Sequence, residues 1–313
     1  MKEFTFRIPG ELEGQRLDCA LFTLLQKCYP LSRSRVRKLI VAGAVYLNGR
    51  RVRIASKRVL KKAIIKIYLD EKRISQQEKI YHLSEKDIVY EDDYLICVNK
   101  PAGLLTVPSL DEARQNLFSL LRDYLKKRNG RKECYLGVHH RLDKETSGLV
   151  LFTKKEEVNP AIAELFQEHL VSKKYFALCH KNQEPIEVQW EVRNELVRCH
   201  PKKNKYRLAL DQEEGSFAYS RFRLIEEREA FVLLQATPIT GRTHQLRVHL
   251  ASQNLPIVGD WLYAQSKEER LMLHSYELSF RHPITQKNLE ITAPPDEIYK
   301  SICQNKGILY FTS

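Results

Sequence analysis

Positive charge is distributed very unevenly along this chain of 313 residues. Residues 1–70 contain 16 Lys or Arg and only 5 Asp or Glu, which gives this segment a net charge of +11. The formal net charge of the whole chain is +13, so the remaining residues contribute only +2. Such a division, in a chain longer than one compact core usually holds, indicates a basic domain joined to a nearly neutral one. A polyanion such as nucleic acid is the expected partner of the basic domain.

The basic segment contains a helix pattern followed by a hairpin pattern. In residues 32–43, SRSRVRKLIVAG, Ser32 is a predicted N-cap and apolar residues recur with helical spacing. The apolar stripe is formed by Val36, Leu39 and Ile40. After this helix, Asn48-Gly49 is a strong short signal for a β-hairpin. An earlier helix is predicted over residues 17–28, so the segment is expected to fold as a small domain of helices and a hairpin.

The order of these patterns resembles the S-four-type RNA-binding domain, which is named after a small-subunit ribosomal protein. The resemblance covers about residues 14–69 and rests on RLD, LSRSRVRKLI and G-x-V-x-L-N-G. The sequence departs from the family at LKKAII, where a Pro-Gly-Asp turn is usual, and this departure bears on the last strand. The alternative is an ordinary charged face that is only solvated. The resemblance implies RNA contacts from the helix and hairpin, with these candidates: Ser32, Arg33, Arg35, Arg37, Lys38, Asn48 and Arg51.

Composition argues against several classes of protein. Hydrophobic residues make up 43% of the chain, which is too many for wholesale disorder. No stretch of the sequence approaches the roughly 20 apolar residues that span a bilayer. The N-terminus lacks the apolar run of a signal peptide, so we expect a cytoplasmic protein that does not bind membranes. The seven cysteines are odd in number and include no CxxC pair, which argues against a zinc ribbon and a disulfide framework.

From residue 87 onward, strand-like and helix-like segments alternate. The most informative segment is 139–155, HHRLDKETSGLVLFTKK, in which a dense polar stretch leads into the apolar strand pattern LVLFT. A polar loop before a buried strand is a favourable place for catalysis, because the scaffold can hold its side chains rigidly. Residues 71–86 are polar without a clear period and are predicted to be a linker. Further strands are predicted at 94–99, 173–180, 219–224, 231–237 and 288–292, and helices at 117–125, 159–169 and within 241–251.

Three places in the body carry candidate chemistry. The first is His140-Arg141-Leu142-Asp143, where Arg141 and Asp143 share one face if the chain is extended. The second is the polar run that begins at Arg242, and the third is Tyr175, which lies between lysines and an apolar run. Each also has an ordinary structural interpretation, respectively a local salt bridge, a capped helix start and a core aromatic. These residues alone therefore leave the choice open.

Resident metals and common cofactors are not expected. Four histidines, at positions 139, 140, 244 and 249, show neither HExxH nor CxxC spacing, so we expect no metal site. The phosphate-binding patterns GxxxxGK[ST] and GxGxxG are also absent from the sequence. An enzyme that depends on ATP or NAD is therefore unsupported, and no cofactor is predicted.

The successive blocks of the body resemble the RluA-type RNA pseudouridine synthases. The blocks are EDDYLICVNKPAGLLTVPS, HRLDKETSGLVLFTK, SKKYFALCH, GRTHQLRVHLA, PIVGDWLYA and LMLHSYELSFRHP, and they span residues 89–283. HRLDxxTSG is a highly specific pattern, and GRTHQxRVH follows it in the family's order. The resemblance implies an α+β catalytic domain over residues 87–313, with a long, mixed, mainly antiparallel sheet and a central cleft. The charge asymmetry places the RNA-binding domain at 1–70, and the polar stretch places the linker at 71–86.

The resemblance also implies a role for several side chains. Asp143 matches the family's catalytic nucleophile, which must be ionised and close to the ribose of a uridine turned out of its stack. Arg242 is expected to pair with Asp143, because a nearby guanidinium favours the charged form of a buried carboxylate. Tyr175 matches the tyrosine that stacks on the extruded uracil and assists proton removal. Arg141 is expected to fill the gap in the RNA or contact a phosphate, and Leu273 to close the pocket behind the base.

Two other functions fit part of the same pattern. A nucleoside or RNA glycosidase would use the same carboxylate with water, but such hydrolases usually have a second carboxylate in a partnered role. Glu145 is the nearest acidic residue in the sequence and is not a convincing partner. A non-catalytic RNA-binding or ribosome assembly factor is the other alternative, although Asp143 and Arg242 are both present. The predicted substrate is large-subunit ribosomal RNA, with transfer RNA left open, and the protein is predicted to be a monomer.

Overall fold

The computed structural model describes residues 2–41, 43–69, 80–108, 115–130, 133–181, 184–200, 203–264, 268 and 270–312. These residues divide into two compact units, the first within Met1–Tyr81 and the second within His82–Pro108 and Gln115–Ser313. Most of the predicted linker, 71–79, lies outside the described residues. The predicted boundaries at residues 70 and 87 therefore stay a prediction.

The first unit combines a four-stranded antiparallel sheet with two helices. Its elements are β1 (Lys2–Arg7), α1 (Leu17–Gln26), α2 (Arg33–Val41), β2 (Val45–Leu47), β3 (Arg50–Val52) and β4 (Ile64–Leu69). The strand order is β1-β4-β2-β3. Both helices bury their apolar faces in one core, and the predicted stripe of α2 is part of it. The hydrophobic spacing thus predicts this unit well, because a single buried face is enough to dock each helix.

A helix cap and two turns with positive φ shape the first unit. Ser32 Oγ accepts a hydrogen bond from the Arg35 backbone N–H at 3.3 Å, so Ser32 caps α2 as predicted. Asn48 has a positive φ of 49° between β2 and β3, and its Oδ1 accepts from the Ile64 N–H at 2.8 Å. Lys62 takes a φ of 64° in the turn before β4. The last strand therefore forms even though LKKAII replaces the usual Pro-Gly-Asp turn.

The described part of the second unit contains one eleven-stranded sheet. Its strands are β5 (Ile88–Glu91), β6 (Leu95–Lys100), β7 (Gly137–Val138), β8 (Ser147–Thr153), β9 (Ser172–His180), β10 (Gln189–His200), β11 (Lys203–Leu208), β12 (Ser216–Glu227), β13 (Phe231–Pro238), β14 (Leu273–Arg281) and β15 (Asn288–Thr292). Its α-helices are α3 (Leu117–Asn129), α4 (Asn159–Gln167), α5 (Gln245–Ser252) and α6 (Glu297–Asn305).

The sheet has the order β11-β10-β12-β13-β9-β14-β8-β6-β5, with β15 paired to β14 and β7 paired to β8. Among these pairs only β14 and β8 run parallel. The predicted α+β class with a long, mixed, mainly antiparallel sheet is therefore confirmed. The sequence pattern misses β10, in which charged residues such as Glu191 and Arg193 alternate with buried apolar ones such as Val192. Such residues have low intrinsic strand propensity. The strand forms because it pairs with β12, and the sequence of β10 alone does not indicate that pairing.

Two central strands approach each other closely at Gly148. This residue has a φ of 114°, and a Cβ atom built on it would lie 2.1 Å from the Ser275 carbonyl oxygen. Glycine is therefore required at the start of β8. The close approach brings the polar loop that precedes β8 next to β14, and Ser147 Oγ lies 2.8 Å from His274 Nδ1.

Helix α5 is fixed on β10 and β12 by both apolar and polar contacts. Val248 packs in a small cluster with Leu196 and Ala218. The Gln245 amide donates to Ser220 Oγ at 2.8 Å, so the first turn of the helix has a defined position on the sheet. Among the described residues, no helix is long and apolar enough to cross a membrane.

Candidate active site

Asp143 lies in a loop that is held from both sides. The preceding residue, Leu142, is buried, and its backbone N–H and carbonyl both bond the hydroxyl of Thr106, at 3.2 and 2.8 Å. The following residue, Lys144, accepts a hydrogen bond on its carbonyl from Lys100 Nζ at 3.1 Å. The Asp143 side chain is nevertheless 25% exposed. The loop thus presents an accessible carboxylate on a backbone with little freedom.

Lys100 anchors this loop from inside the protein. Its side chain is fully buried, and Nζ also donates to the carbonyls of Pro101 at 3.1 Å and Leu104 at 2.8 Å. Burial lowers the pKa of Lys100 to about 7, against the opposing effect of the Glu145 and Asp143 carboxylates. Three carbonyl acceptors match the three donors of an ammonium group. Lys100 therefore ties the end of β6 to the loop that carries Asp143.

Two basic side chains from the same helical segment face Asp143. Arg247 Nη1 lies 3.7 Å and His244 Nε2 lies 3.6 Å from Asp143 Oδ2. Burial lowers the pKa of His244 despite the nearby carboxylate, so this ring is neutral at pH 7. Burial also opposes the charge of Arg247, but the hydrogen bond to Asp260 and the carboxylates of Asp260 and Asp143 raise its pKa. Arg247 is therefore the cation that faces the candidate nucleophile.

Asp260 holds Arg247 in place. Its two carboxylate oxygens accept from Arg247 Nε and Nη2, both at 2.8 Å, in a bidentate pair that is buried on both sides. Such a pair fixes both the position and the plane of the guanidinium. The remaining nitrogen, Nη1, is the one directed at Asp143. Asp260 thus positions the guanidinium, and the positive charge of Arg247 is shared between the Asp260 and Asp143 carboxylates.

Contrary to the expectation from the sequence, the structure does not pair Arg242 with Asp143 but places Arg247 there. Arg242 is exposed, and its Nε donates to the Phe217 carbonyl at 2.9 Å. The physical reason is the left-handed conformation of His244, which has a φ of 58° and turns the chain immediately before α5. Arg242 therefore precedes the helix on the surface, whereas Arg247 lies within its first turn and reaches Asp143. The spacing within GRTHQLRVH gives no signal of this turn, because a non-glycine residue rarely adopts such a φ.

Tyr175 is brought close to the candidate nucleophile by the pairing of β9 with β14. It lies opposite Ser275 in the register of these strands and is only 8% exposed. Burial raises the pKa of Tyr175 to about 12, with a smaller increase from the Asp143 carboxylate and an opposing effect of the Ser275 hydroxyl. That hydroxyl is buried and makes no hydrogen bond of normal geometry with the described residues. Tyr175 is therefore a neutral phenol at physiological pH.

The structure places the two remaining body candidates near the same loop. Leu273, 4% exposed, begins β14 opposite Ala177 and is two residues from Ser275. Arg141 is exposed, and its charge is close enough to His244 to help lower the pKa of that histidine. The described residues contain no cluster of three or more His, Cys, Asp or Glu that could hold a metal ion.

In the first unit, the candidate RNA-binding side chains fall into two groups. Arg33 and Arg35 are exposed on α2. By contrast, Arg37 donates to the buried carboxylate of Asp18 at 2.6 Å, and Arg51 donates to the Tyr46 hydroxyl at 2.9 Å. Ser32 and Asn48 use their side chains to cap the backbone, as described above, and Lys38 lies half-buried on the same helix. Arg51 is also exposed, but its guanidinium is bonded to Tyr46, so Arg33 and Arg35 are the arginines of this set most available to a phosphate backbone.

Two families match separate parts of the chain. The RNA pseudouridylate synthase family matches residues 94–252, a range that includes Asp143, Tyr175 and Arg247. The S4 domain family matches residues 21–65, which include α2 and the hairpin of the first unit.

Curated proteins and solved structures agree with these matches. Ribosomal large subunit pseudouridine synthase C of Buchnera aphidicola subsp. Baizongia pistaciae is 32% identical over 314 residues, 95% of this chain and 96% of the relative. Dual-specificity RNA pseudouridine synthase RluA of Vibrio cholerae serotype O1 is 38% identical over 202 residues, 63% of this chain and 78% of the relative. Human RNA Pseudouridylate Synthase Domain Containing 4 shares the fold, with a TM-score of 0.59 at 24% identity over 70% of this chain and 92% of that one. The chain therefore belongs to the RNA pseudouridylate synthase family and is an RNA pseudouridine synthase.

Proposed function

We propose that this enzyme isomerises uridines of large-subunit ribosomal RNA, with Asp143 as the nucleophile. The supporting observation is the Asp143 carboxylate, which is partly exposed on a fixed loop and faces the Arg247 guanidinium at 3.7 Å. The substrate is proposed because the Buchnera relative, which aligns over nearly the whole chain, is named for the ribosomal large subunit. We further propose that the enzyme acts in the cytoplasm as a monomer.

The proposed reaction needs no electron donor or acceptor. An Asp143 carboxylate oxygen attacks the ribose C1′, and the bond from C1′ to uracil N1 breaks with its electron pair remaining on the base. The freed uracil turns, its C5 forms a bond to C1′, and the bond to Asp143 breaks. The proton on C5 is then lost, and N1 gains one. Arg247 keeps the carboxylate charged and oriented before the attack and stabilises it again when it leaves.

Three further side chains are proposed to hold the extruded nucleotide. Tyr175 stacks on the uracil ring, and its neutral hydroxyl assists proton removal from C5 as a relay, giving its own proton to water as it takes up the one from C5. Leu273 closes the pocket behind the base, since it lies on β14 beside the strand of Tyr175. Arg141 contacts the RNA from the exposed side of the loop, where its charge can fill the gap left by the uridine or bind a phosphate.

The substrate is tested by mapping pseudouridine in total RNA from cells with and without this protein. We expect loss of pseudouridine at specific uridines of large-subunit ribosomal RNA, and its return when the purified enzyme is added to unmodified RNA. Loss confined to transfer RNA would replace the proposed substrate but leave the reaction intact. Release of free uracil without pseudouridine would instead indicate a hydrolase.

We propose that the first unit is a second RNA-binding region, with α2 facing the phosphate backbone. Its support is the net charge of +11 over residues 1–70 and the exposure of Arg33 and Arg35. Binding of this kind releases counterions, so its dependence on salt reports the number of phosphates that the protein neutralises.

The double variant Arg33→Gln/Arg35→Gln is therefore expected to weaken RNA binding and to flatten its salt dependence. The slope of log K against log salt should fall by up to about 2, roughly one for each phosphate that is no longer neutralised. Binding is measured by filter retention between low and physiological salt. The control, Lys126→Gln/Lys127→Gln on α3, removes the same charge from the second unit and should change the slope less. Equal slopes for both variants would show that α2 does not contact the phosphate backbone.

A further inference from the structure

Trp261 exposes an indole ring directly beside the residues that hold Arg247. It lies in the turn after α5, between Asp260 and Leu262, and is 66% exposed. Within the described part of the chain, no aromatic ring stacks on the indole and no cationic side chain lies over it. A large apolar ring is thus presented to solvent from the turn whose Asp260 binds Arg247.

The turn that carries Trp261 is rigid. Asp260 is buried, and the same oxygen that binds Arg247 accepts from the backbone N–H groups of Leu262 at 3.0 Å and Tyr263 at 3.1 Å. Gly259, with a φ of 76°, is in close contact with Arg270, since a Cβ atom on it would lie 1.6 Å from the Arg270 carbonyl oxygen. The backbone on both sides of Trp261 is therefore fixed.

The same interactions relate the turn to the reacting carboxylate. Asp260 binds Arg247 through two hydrogen bonds of 2.8 Å, and Arg247 Nη1 lies 3.7 Å from Asp143. Tyr263, two residues after Trp261, lies 3.0 Å from His244 Nδ1 through its hydroxyl. The position of Trp261 is thus set by the same side chains that set the geometry at Asp143.

The surroundings of the turn suit a nucleic acid. Arg247 Cζ lies 5.1 Å and Lys205 Nζ lies 5.6 Å from the centre of the Tyr263 ring, so cationic and aromatic groups alternate here. Proteins that bind unpaired strands combine positive charge along the backbone with aromatic rings on which bases stack. Single exposed apolar residues are common on protein surfaces. Trp261 differs from such residues because its turn also holds Arg247, the cation that faces Asp143.

We propose that Trp261 is a stacking platform for an unpaired base of the substrate RNA, next to the uridine that reacts at Asp143. The ligand is a nucleobase, recognised through its π face, so the site favours an unpaired neighbour over a particular sequence. When a nucleotide leaves its stack, the bases beside it are left without a stacking partner, and the indole replaces that partner for one of them. The proposal rests on the proposed function, because it requires Asp143 to be the reacting group.

The chain contains two tryptophans, which allows a direct test. The other, Trp190, stacks on Phe222 with ring centres 5.3 Å apart, so Trp190→Phe keeps an aromatic ring there and leaves Trp261 as the single indole. We expect the fluorescence of this variant to be quenched when unmodified large-subunit ribosomal RNA transcript is added. Fully double-stranded RNA should quench it much less, because it offers no unpaired base. The matched variant Trp261→Phe, which retains Trp190, should show no quenching.

Affinity gives a second readout that does not depend on catalysis. Trp261→Ala should raise the Kd for the same transcript by about 5- to 100-fold, the range expected when one base can no longer stack. Trp261→Tyr should retain most of the affinity, and neither change should alter the melting temperature, since the ring is exposed. Unchanged fluorescence of Trp190→Phe with unchanged affinity of Trp261→Ala would overturn the proposal. Pseudouridine formation by Trp190→Phe on the same RNA tests the proposed function separately.

Discussion

Asp143→Asn is expected to abolish pseudouridine formation while leaving RNA binding intact. Asparagine has nearly the same shape but no negative charge, so it cannot form the bond to the ribose. Loss of a nucleophile typically costs about 10⁴-fold or more in turnover. The measurement is single-turnover conversion of an unmodified ribosomal RNA transcript, with binding followed separately by filter retention.

The structure of the loop should survive this change. Leu142 and Lys144 are held through their backbones, by Thr106 and Lys100, and those hydrogen bonds do not involve the Asp143 side chain. The matched control is Glu145→Gln, which removes a carboxylate two residues away that forms an ion pair with Lys144 at 3.4 Å and leaves the carbonyl hydrogen bonds of Lys100 in place. It should retain nearly full activity. Normal turnover by Asp143→Asn, or equal loss in both variants, would contradict the assignment of the nucleophile.

The sequence predicts the position of Asp143 because the physical requirements are local. The polar loop HRLDKETSG leads into β8, whose apolar run can only be buried, and Gly148 allows the close approach to Ser275 that brings β14 alongside. Tyr175 is similarly predictable, since it lies within a strand of clear apolar character. A local pattern followed by a rigid element is therefore enough to place two of the three central side chains.

The partner of Asp143 is not predictable in this way, because it depends on a turn and on a distant residue. His244 adopts a left-handed conformation without being glycine, and this decides which arginine of GRTHQLR faces the loop. Asp260, 13 residues after Arg247, then fixes the chosen guanidinium. Neither the conformation of His244 nor the pairing of Arg247 with Asp260 follows from hydrophobic periodicity in the sequence. The same limit applies to β10, which is stabilised by β12 more than by its own residues.

Substitution of Arg247 is expected to have a far larger effect than substitution of Arg242. Arg247→Met removes the cation at Asp143 and should lower turnover by roughly 10²- to 10³-fold, as for loss of a group that stabilises charge in the reaction. Arg242→Met is the matched control. It alters an exposed side chain bonded to one carbonyl, and surface substitutions of this kind usually change folding stability by less than about 0.5 kcal/mol. We therefore expect turnover close to that of the wild-type enzyme.

Stability must be separated from catalysis in this comparison. Arg247→Met also leaves the buried carboxylate of Asp260 without its cation, which typically costs about 3–5 kcal/mol of folding stability. The double variant Arg247→Met/Asp260→Asn removes that unpaired charge, and an asparagine oxygen can still accept from the backbone of the turn. The double variant should therefore regain much of its melting temperature but remain inactive. Recovery of activity together with stability would mean that Arg247 acts only through the fold.

Arg247→Lys separates charge from geometry. Lysine keeps the positive charge but cannot bond Asp260 through two parallel donors and reach Asp143 with a third. We therefore expect partial activity, between that of the wild-type enzyme and Arg247→Met, in single-turnover conversion of the same transcript. If Arg242→Met instead proved as damaging as Arg247→Met, the cation at the reacting carboxylate would have to come from the surface residue. The approach of Arg247 to within 3.7 Å of Asp143 would then be incidental.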